Sequence, residues 1–455
     1  MESPENGGAC FPPFPQTLEI EKADFHIPSA PGRDDEYNSS FKTRKDKNPA
    51  SPTLRFLQAH PWIGKDSEFS REDLCWMWRI LFGHLALWPP ERLSSSQEAP
   101  LRATRHSIVE EDLQRIVSSP LPWNRLFGKT VLITGANGFV PAYMLETLMY
   151  LNETADANIH LVALVRNKEK ALRRLGHLAG RPELTMVVQD VRDPYRGPEA
   201  VNYLIHAASQ ASPKFYSSDP VGTFETNVLG TRRMLEVARN ARSEAFLFFS
   251  SGEVYGRAAD ASIPVSESAY GYLDPIDLRS CYAEGKRGGE SLCACWHAQF
   301  GVPAKIVRLS HTYGPGMDLN DGRVFADFVA DMVAGRDIVM KSDGSARRPF
   351  CYLADATIAF FTILLNGKSG EAYNVGSDSE TSILDLAEML CRLFPERNCR
   401  VIRRERDPGD PYLVSPVSGG HFDLSKIRSL GWEPVTNIET GFERTVRSYD
   451  ECEAT

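Results

Sequence analysis

The strongest candidates for chemistry are a tyrosine and a lysine four residues apart. Tyr282 and Lys286 stand in the stretch SCYAEGKRGGE, and on a helix this spacing places both side chains on one face. An unperturbed tyrosine has a pKa of about 10, and a nearby ammonium would lower that pKa and make the hydroxyl a usable base. Upstream, the stretch FFSSGEVYG ends an apolar run and can present Ser251 to the same point. The pattern therefore predicts a general base.

A glycine-rich turn indicates the cofactor. The stretch TGANGFVPAY follows a β-branched run and precedes a helical one, which is the setting that a dinucleotide-binding loop requires. Gly135 permits the tight turn, and Gly138 lets backbone N–H groups approach a pyrophosphate at the start of the helix. Pro141 replaces the usual third glycine, but the first helical turn tolerates proline. Phe139 and Val140 keep their N–H groups, so we expect the site to bind phosphates.

The residues that would choose between NAD and NADP are ambiguous. An acidic residue at the end of the second strand would bind the adenine ribose of NAD, but this chain has Arg166 and Asn167 there. Arg166 could accommodate the 2′-phosphate of NADP or be a solvated charge. Asp190 and Val191, after the third strand, are placed to contact the adenine.

Five apolar runs, each followed by a helical pattern, must position these residues. They read TVLITGA, IHLVALVRN, LTMVVQD, VNYLIHAA and AFLFFSS. Strict alternation predicts an α/β fold, a Rossmann-type doubly wound parallel sheet with ligand at the carboxyl ends of its strands. Beyond about residue 300 the alternation loosens, which suits a smaller C-terminal substrate-binding lobe.

The expected organisation has four parts. Residues 1–127 form an N-terminal extension, partly disordered, with an apolar helix near 70–88 that packs on the body of the protein or on a second subunit or, as the alternative, touches a membrane surface. Residues 128–300 form the dinucleotide-binding domain, 301–447 are mainly the substrate-binding lobe, and 448–455 are a tail.

Composition excludes several classes of protein. The 455 residues carry a formal net charge of -9, which argues against a nucleic-acid binder. Nine cysteines at irregular spacings, with only a C-x-C pair, predict reduced thiols and no metal site. The chain starts without a secretory signal, and no apolar run reaches the roughly 20 residues of a membrane span. We therefore expect a cytoplasmic protein without stable membrane insertion.

Taken together, residues 128 to 447 resemble the extended short-chain dehydrogenase/reductases, that is, the NAD-dependent epimerase/dehydratase family of nucleotide-sugar enzymes. Within the family, the motifs are most similar to those of UDP-glucuronate decarboxylases. The stretches that carry this likeness are ASPKFY, EVYG, RSCYAEGKR, GPGMDLNDGRV, DGSARRPFCYLADA and FDLSKIRSLGWEP. The resemblance also implies a homodimer formed through two helices of the cofactor domain.

The resemblance implies roles for individual residues. Tyr282 would be the base, Lys286 would bridge to the nicotinamide ribose, and Ser251 would polarise the C4 hydroxyl of the sugar. The cofactor set, for NAD or possibly NADP, comprises Gly135, Asn137, Gly138, Phe139, Val140, Arg166, Asp190, Val191, Ala207, Ala208, Tyr282 and Lys286. The substrate set comprises Ser212, Pro213, Tyr216, Asn320, Arg323 and Arg348.

Three reactions remain open. In decarboxylation of UDP-glucuronate to UDP-xylose, Arg348 would bind the C6 carboxylate, or else the phosphates, and Glu253 would take part in protonation at C5 unless it merely caps a helix. A 4,6-dehydratase carries aspartate where this chain has Gly252, and a 4-epimerase usually has a small residue at 253; either would serve polysaccharide or glycoside synthesis. Gly252 also departs from the decarboxylase serine, so an inactive dinucleotide-binding regulator is the third alternative.

Overall fold

The computed structural model describes residues 105–257, 264–404 and 421–450. The apolar stretch near 70–88 and the first 104 residues of the expected extension lie outside them. The strands are β1 Thr130–Thr134, β2 His160–Val165, β3 Leu184–Val188, β4 Tyr203–His206, β5 Ala245–Phe249, β6 Ala304–Leu309, β7 His311–Tyr313, β8 Ile338–Met340, β9 Arg347–Tyr352, β10 Ala372–Val375, β11 Glu380–Ser382 and β12 Val401–Arg403.

Helices connect most of these strands. The α-helices are α1 Ser107–Val117, α2 Phe139–Ala155, α3 Lys168–Leu175, α4 Lys214–Ser218, α5 Pro220–Ala241, α6 Cys281–Phe300, α7 Val324–Val333, α8 Leu353–Asn366, α9 Ile383–Leu393, α10 Ser425–Arg428 and α11 Ile438–Arg447. Two short 3-10 helices matter for the site, Gly252–Tyr255 and Leu278–Ser280.

The main sheet has seven parallel strands in the order β10–β6–β5–β4–β1–β2–β3. The chain leaves β1 toward β2 and β3, then returns to add β4 on the other side of β1. The strand order therefore reverses between β1 and β4, and in such sheets a ligand binds at the carboxyl edge of this switch point. The predicted Rossmann-type sheet is confirmed.

Side chains of the strands alternate between two apolar layers. In β1, Val131 and Ile133 join one buried cluster, which includes Met144 of α2 and Phe360 of α8. Leu132 points to the other face and joins a second cluster with residues of α5 and α6. Because both faces are covered, the strands are continuously apolar, as buried parallel strands are.

The C-terminal lobe contains two small sheets, β11–β9–β7 and β12–β8, packed with α7, α9 and α11. However, β6 and β10 belong to the main sheet, so the sheet continues to Val375. The boundary expected at residue 300 therefore does not coincide with the end of the cofactor domain. Part of the lobe, with β7, β8 and β9, is inserted between β6 and β10 of the sheet, and the rest, with β11 and β12, follows β10.

The described end of the expected extension is part of the folded body. Helix α1 packs on α2 and α8 through buried residues such as Leu113 and Ile116. Buried Asp112 accepts hydrogen bonds from the hydroxyls of Tyr143 (3.0 Å) and Tyr352 (2.6 Å) and pairs with Arg444 at 2.9 Å. The folded body therefore includes α1, which lies within the expected extension, and the contacts that hold it reach across the sequence and leave no local pattern.

Candidate active site

The loop after β1 is shaped by its glycines. Gly135 has a φ of +63°, and a Cβ built there would lie 2.8 Å from the Cα of Ala208, so a larger residue would be strained and would clash. The backbone N–H of Ala208 donates to Thr134 Oγ at 3.0 Å. The glycine loop and the turn that contains Ala207 and Ala208 are thus in direct contact at the switch point.

The start of α2 fits a phosphate ligand. Gly138 is the residue before the helix, and the N–H groups of Phe139 and Val140 lie in the first turn, where a helix offers no carbonyl acceptor. Pro141 lies in the same turn, buried, so it removes no internal helical hydrogen bond, as predicted. Asn137 is half-buried in the turn between the two glycines. The free backbone N–H groups of this loop fit the phosphates of a dinucleotide.

A buried histidine that the sequence analysis did not single out, His206, contacts the residue just before the glycine loop. His206 Nδ1 lies 2.8 Å from Thr134 Oγ, and its Nε2 lies 3.1 Å from Thr231 Oγ. Burial, with a further contribution from the charge of Lys286, lowers the pKa of His206 to about 3, so the ring is neutral. A neutral imidazole can connect these hydroxyls by accepting at one nitrogen and donating at the other.

The adenosine side of the loop is more basic than in an NAD site with an acidic ribose ligand. Arg166 follows β2 and is exposed. Asp190 pairs with Arg192 at 3.0 Å; burial opposes it, but hydrogen bonds from Arg192 and the charge of Arg166 lower the pKa of Asp190. Val191 is buried against Gly230 of α5. Arg166 is therefore close enough to Asp190 to influence it.

The predicted catalytic residues converge at the carboxyl end of β5. Tyr282 lies in the first turn of α6 and is buried, and Ser251 is near enough to its hydroxyl to act on its pKa in the lowering direction. The ring of Tyr216 stacks on the ring of Tyr282, with centroids 5.1 Å apart and 21° between the planes. Ser251 also accepts the N–H of Glu253 at 3.2 Å, which fixes the 3-10 turn that follows. A hydroxyl bound to Tyr282 and Ser251 could be deprotonated there.

The acidity of Tyr282 differs from the sequence prediction. Burial raises the pKa of Tyr282 to about 12, and the carboxylate of Glu253 adds to this increase. The charges of Arg323 and Arg279 act in the opposite direction. The expected lowering by Lys286 is not found, since its ammonium lies 5.8 Å from the centre of the tyrosine ring and is itself weakly charged.

Lys286 occupies an almost fully enclosed position. Its Nζ donates to the carbonyl oxygen of Phe249 at 2.5 Å and lies 5.0 Å from the centre of the Phe248 ring. Burial lowers the pKa of Lys286 to about 7, although the carboxylate of Glu290 opposes this. The amine is therefore only partly protonated near neutral pH.

Glu253 is held by an arginine that the sequence analysis did not single out. The two guanidinium nitrogens Nη1 and Nη2 of Arg279 each donate to one carboxylate oxygen of Glu253, both at 2.8 Å. The carboxylate thus does not cap a helix, the alternative left open by the sequence. Arg279 stands three residues before Tyr282 and is the first residue of the RSCYAEGKR stretch, so the family resemblance of that stretch could have indicated it.

Gly252 is explained by an aromatic ring from a distant segment. A Cβ at position 252 would lie 2.6 Å from Cζ of Phe422, closer than real Cβ contacts. Phe422 is buried and also packs edge-on against Tyr255, with centroids 5.7 Å apart. Any side chain at 252 therefore requires this ring to move.

The predicted substrate segments meet each other. Ser212 Oγ donates to the carbonyl oxygen of Asp321 at 2.7 Å, and Lys214 Nζ contacts the carbonyl oxygen of Asn320. Pro213 precedes α4, which carries Tyr216 toward the catalytic tyrosine.

Two arginines of the lobe share one neighbourhood. Burial lowers the pKa of His311 to about 3, and the charges of Arg348 and Arg323 contribute to this. Arg323 also acts on Tyr282 and pairs with Asp321. Arg348 is half-buried in β9, and its Nη1 donates to the carbonyl oxygen of Arg347 at 2.8 Å. The charge of Arg323 thus acts both on His311 of the lobe and on Tyr282.

The glycine loop, Tyr282 with Ser251 and the buried Lys286 fit the chemistry of the short-chain dehydrogenase/reductase class, in which a nicotinamide cofactor oxidises an alcohol. Residues 131–376 match the model of the NAD dependent epimerase/dehydratase family, and the chain belongs to this family. NAD is its cofactor.

Among relatives, UDP-glucuronic acid decarboxylase 6 of Arabidopsis thaliana is 33% identical over 328 residues, which is 71% of this chain and 90% of the relative. UDP-glucuronic acid decarboxylase 1 of Danio rerio is 32% identical over 325 residues, 70% of this chain and 72% of the relative.

Two solved structures show the same fold. The UDP-glucuronic acid 4-epimerase of Bacillus cereus, in complex with UDP-glucuronic acid and NAD, superposes with a TM-score of 0.59 at 21% identity and covers 71% of this chain and 99% of its own. The dTDP-glucose 4,6-dehydratase of Streptomyces venezuelae gives a TM-score of 0.58 at 24% identity, covering 71% and 97%.

Proposed function

We propose that this protein decarboxylates UDP-glucuronate to UDP-xylose or a related pentose, with transient oxidation at C4 of the sugar. The observation that carries the choice among reactions is the carboxylate of Glu253, fixed by Arg279 at a position where a 4-epimerase usually has a small residue. The ring of Phe422 fills the space of a Cβ at position 252, which excludes the acid of a 4,6-dehydratase there, and it equally excludes the serine of the decarboxylases. The decarboxylase names of two relatives support the same choice.

Once the C4 hydroxyl of the sugar is oxidised, the later steps require little from the protein. Tyr282 accepts the proton of the C4 hydroxyl, which Ser251 orients by hydrogen bonding. Held at the loop of Gly135 and Gly138, NAD would supply the hydride acceptor for C4 and the hydride for the later reduction. A ketone at C4 makes the C6 carboxylate that of a β-keto acid, so carbon dioxide leaves without an acid. C5 then takes one proton before C4 is reduced, which balances the loss of carbon dioxide.

Arg348 and Glu253 are the residues that we assign to the carboxylate end of the sugar. Arg348 and Arg323 form a basic neighbourhood beside His311, suited to a substrate with three negative groups. A guanidinium can bind the C6 carboxylate with two parallel hydrogen bonds. Glu253, two residues after Ser251, takes part in proton delivery at C5. A 4-epimerase has no use for an acidic group there.

The test is to incubate the purified full-length protein with NAD and UDP-glucuronate and to analyse the nucleotide sugars and the carbon dioxide. Carbon dioxide with a UDP-pentose supports the proposal. Turnover without carbon dioxide, or only on a neutral hexose, would indicate epimerase or dehydratase activity. NAD binding without any turnover would indicate a regulator. Tyr282→Phe should bind NAD and abolish turnover, which excludes a contaminating activity.

We also propose a homodimer formed through the outer surfaces of α5 and α6. Val221, Phe224 and Leu229 of α5 are exposed apolar residues, and a second copy of the chain would cover them. Sedimentation should give twice the chain mass, and Phe224→Lys should shift it toward the monomer.

The proposed compartment is the cytoplasm. The described cysteines, six in number, are free thiols, which suits a reducing compartment. No helix in the described ranges is long and apolar enough to cross a membrane. Cell fractionation with an antibody would test the assignment.

A further inference from the structure

Arg279 is buried although it is one of the most hydrophilic side chains. It lies in the 3-10 turn Leu278–Ser280 with 4% of its surface exposed. Its backbone N–H donates to the carboxylate of Asp277 at 2.9 Å, which fixes the turn. Burying a guanidinium is unfavourable unless it is paired, so the partners of Arg279 indicate what the residue does.

The first partner is Glu253. Two parallel hydrogen bonds of 2.8 Å match the planar fork of the guanidinium to both carboxylate oxygens. This geometry allows little rotation of the carboxylate. Glu253 is therefore fixed in orientation, and it is the residue to which the proposed function assigns proton delivery at C5.

The second partner is a pair of stacked tyrosines. The guanidinium carbon of Arg279 lies 4.5 Å from the centre of the Tyr216 ring, and that ring stacks on Tyr282 at 5.1 Å. Tyr216 is itself anchored, since its hydroxyl donates to the carbonyl oxygen of Ala211 at 2.9 Å. The Tyr216 ring thus lies between the Arg279 guanidinium and the Tyr282 ring and contacts both.

The charges around Tyr282 show why this contact matters. Besides burial, Glu253 raises the pKa of Tyr282, while Arg323 and Arg279 lower it. Two further titratable groups lie near the ring: Tyr216, which stacks on it, and Lys286, whose nitrogen is 5.8 Å from the ring centre. Without Arg279, only Arg323 would oppose the charge of Glu253, and the tyrosine would be harder to ionise.

We propose that Arg279 is a positioning residue that allows a carboxylate and a proton-accepting tyrosine to work side by side. It fixes the orientation of the Glu253 carboxylate through two hydrogen bonds, and its positive charge, in contact with the Tyr216 ring that stacks on Tyr282, offsets part of the effect of that carboxylate on the tyrosine. The inference rests on the proposed function for the role of Glu253, but its effect on Tyr282 applies to any oxidation at C4.

The test compares Arg279→Met, Arg279→Lys and a matched control, Arg287→Met. Arg287 supports the 3-10 turn Gly252–Tyr255, which contains Glu253, by donating to the carbonyl oxygens of Val254 (2.7 Å) and Gly271 (2.8 Å), but it has no bond to the Glu253 carboxylate. Reduction of bound NAD by UDP-glucuronate is followed as a function of pH in the full-length protein. NAD binding and thermal unfolding report whether each variant folds.

We expect Arg279→Met to slow C4 oxidation about tenfold or more at neutral pH, with the rate recovered as pH rises by about one unit or more. Arg279→Lys should recover part of the rate, because it restores charge without the fork. Arg287→Met should lower the rate, if at all, equally at every pH. Among products, Arg279→Met should release more UDP-4-keto-pentose relative to UDP-pentose than the control does.

A folded Arg279→Met protein whose rate falls equally at every pH, or not at all, would overturn the inference. If wild-type protein oxidises the sugar but releases no carbon dioxide, the proposed function fails while the pH comparison still decides the role of Arg279. If no oxidation is seen, NMR titration of [13C]tyrosine-labelled, NAD-bound protein, assigned with Tyr282→Phe, gives the same decision. An unchanged Tyr282 titration in Arg279→Met then contradicts the inference.

Discussion

At the scale of single residues, the sequence predicts the groups whose neighbours lie within a few positions. Tyr282 and Lys286 are one helical turn apart, and Gly135 and Gly138 shape one loop, so their spacing is informative. The ionisation of Tyr282 depends instead on groups that folding brings together, and its direction could not be inferred from Lys286 alone.

Lys286 should make stability depend on pH. The pKa of Lys286 is lowered from 10.5 to about 7 by burial, so between these values the unfolded chain holds a proton that the folded chain has released. The free energy of unfolding of the NAD-free protein should therefore rise with pH across this window. Lys286→Met should remove that contribution, seen as a smaller rise in melting temperature with pH.

The control for this measurement is Lys170→Met, at an exposed position on α3. It should keep the wild-type pH dependence. Parallel curves for wild type and Lys286→Met would show that the buried amine does not titrate in this range.

Arg166 should determine how well the protein distinguishes NADP from NAD. Its guanidinium can pair with a 2′-phosphate, whereas an aspartate repels it and binds a ribose hydroxyl. Arg166→Asp should weaken NADP binding relative to NAD by at least about tenfold, or ~1.4 kcal/mol, measured by calorimetry. Arg173→Asp, the same charge change at another exposed site, should leave the ratio unchanged. If the ratio of NADP to NAD affinity is unchanged in Arg166→Asp, Arg166 is a solvated charge that does not contact the cofactor.

At the scale of elements, the strands of the cofactor domain were predictable because buried parallel strands are continuous apolar runs. The pairing of β10 was not predictable. This strand is only four residues long and is separated from its partner β6 by part of the lobe, so the sequence carries no local signal of the pairing. The packing of Phe422 on the 3-10 turn at Gly252 is equally invisible in the sequence, because it joins segments 170 positions apart.

Gly252→Ser should destabilise the protein by about 2 kcal/mol, as overpacking does, because its Cβ enters the space of the Phe422 ring. In a Phe422→Leu background, the same substitution should cost less, since the ring edge is gone. Denaturant unfolding of the four proteins gives the coupling energy directly. Additive costs would mean that the ring and the glycine do not compete for space.

At the scale of the whole molecule, α1 is bound to both the cofactor domain and the lobe through one carboxylate. Tyr143 belongs to α2, Tyr352 to β9 and Arg444 to α11, and all three donate to Asp112. The sequence could not predict this, because an aspartate in an amphipathic helix normally faces solvent.

Asp112→Ala should cost about 3 kcal/mol of stability, because it leaves a buried guanidinium and two buried hydroxyls without their acceptor. Glu111→Ala, which removes an exposed pair with Arg444 at 2.8 Å, should cost less than about 1 kcal/mol. Denaturant unfolding measures both. Equal losses for the two variants would contradict a special role for Asp112.

The position of β10 has a consequence for biosynthesis. While the ribosome is still translating the lobe, the nascent sheet ends at β6 with its outer edge unpaired, and β10 completes it only after Val375 emerges. Unpaired strand edges invite association between chains. A fragment truncated at residue 300 would expose β5 instead and should aggregate, so heterologous expression calls for the intact polypeptide.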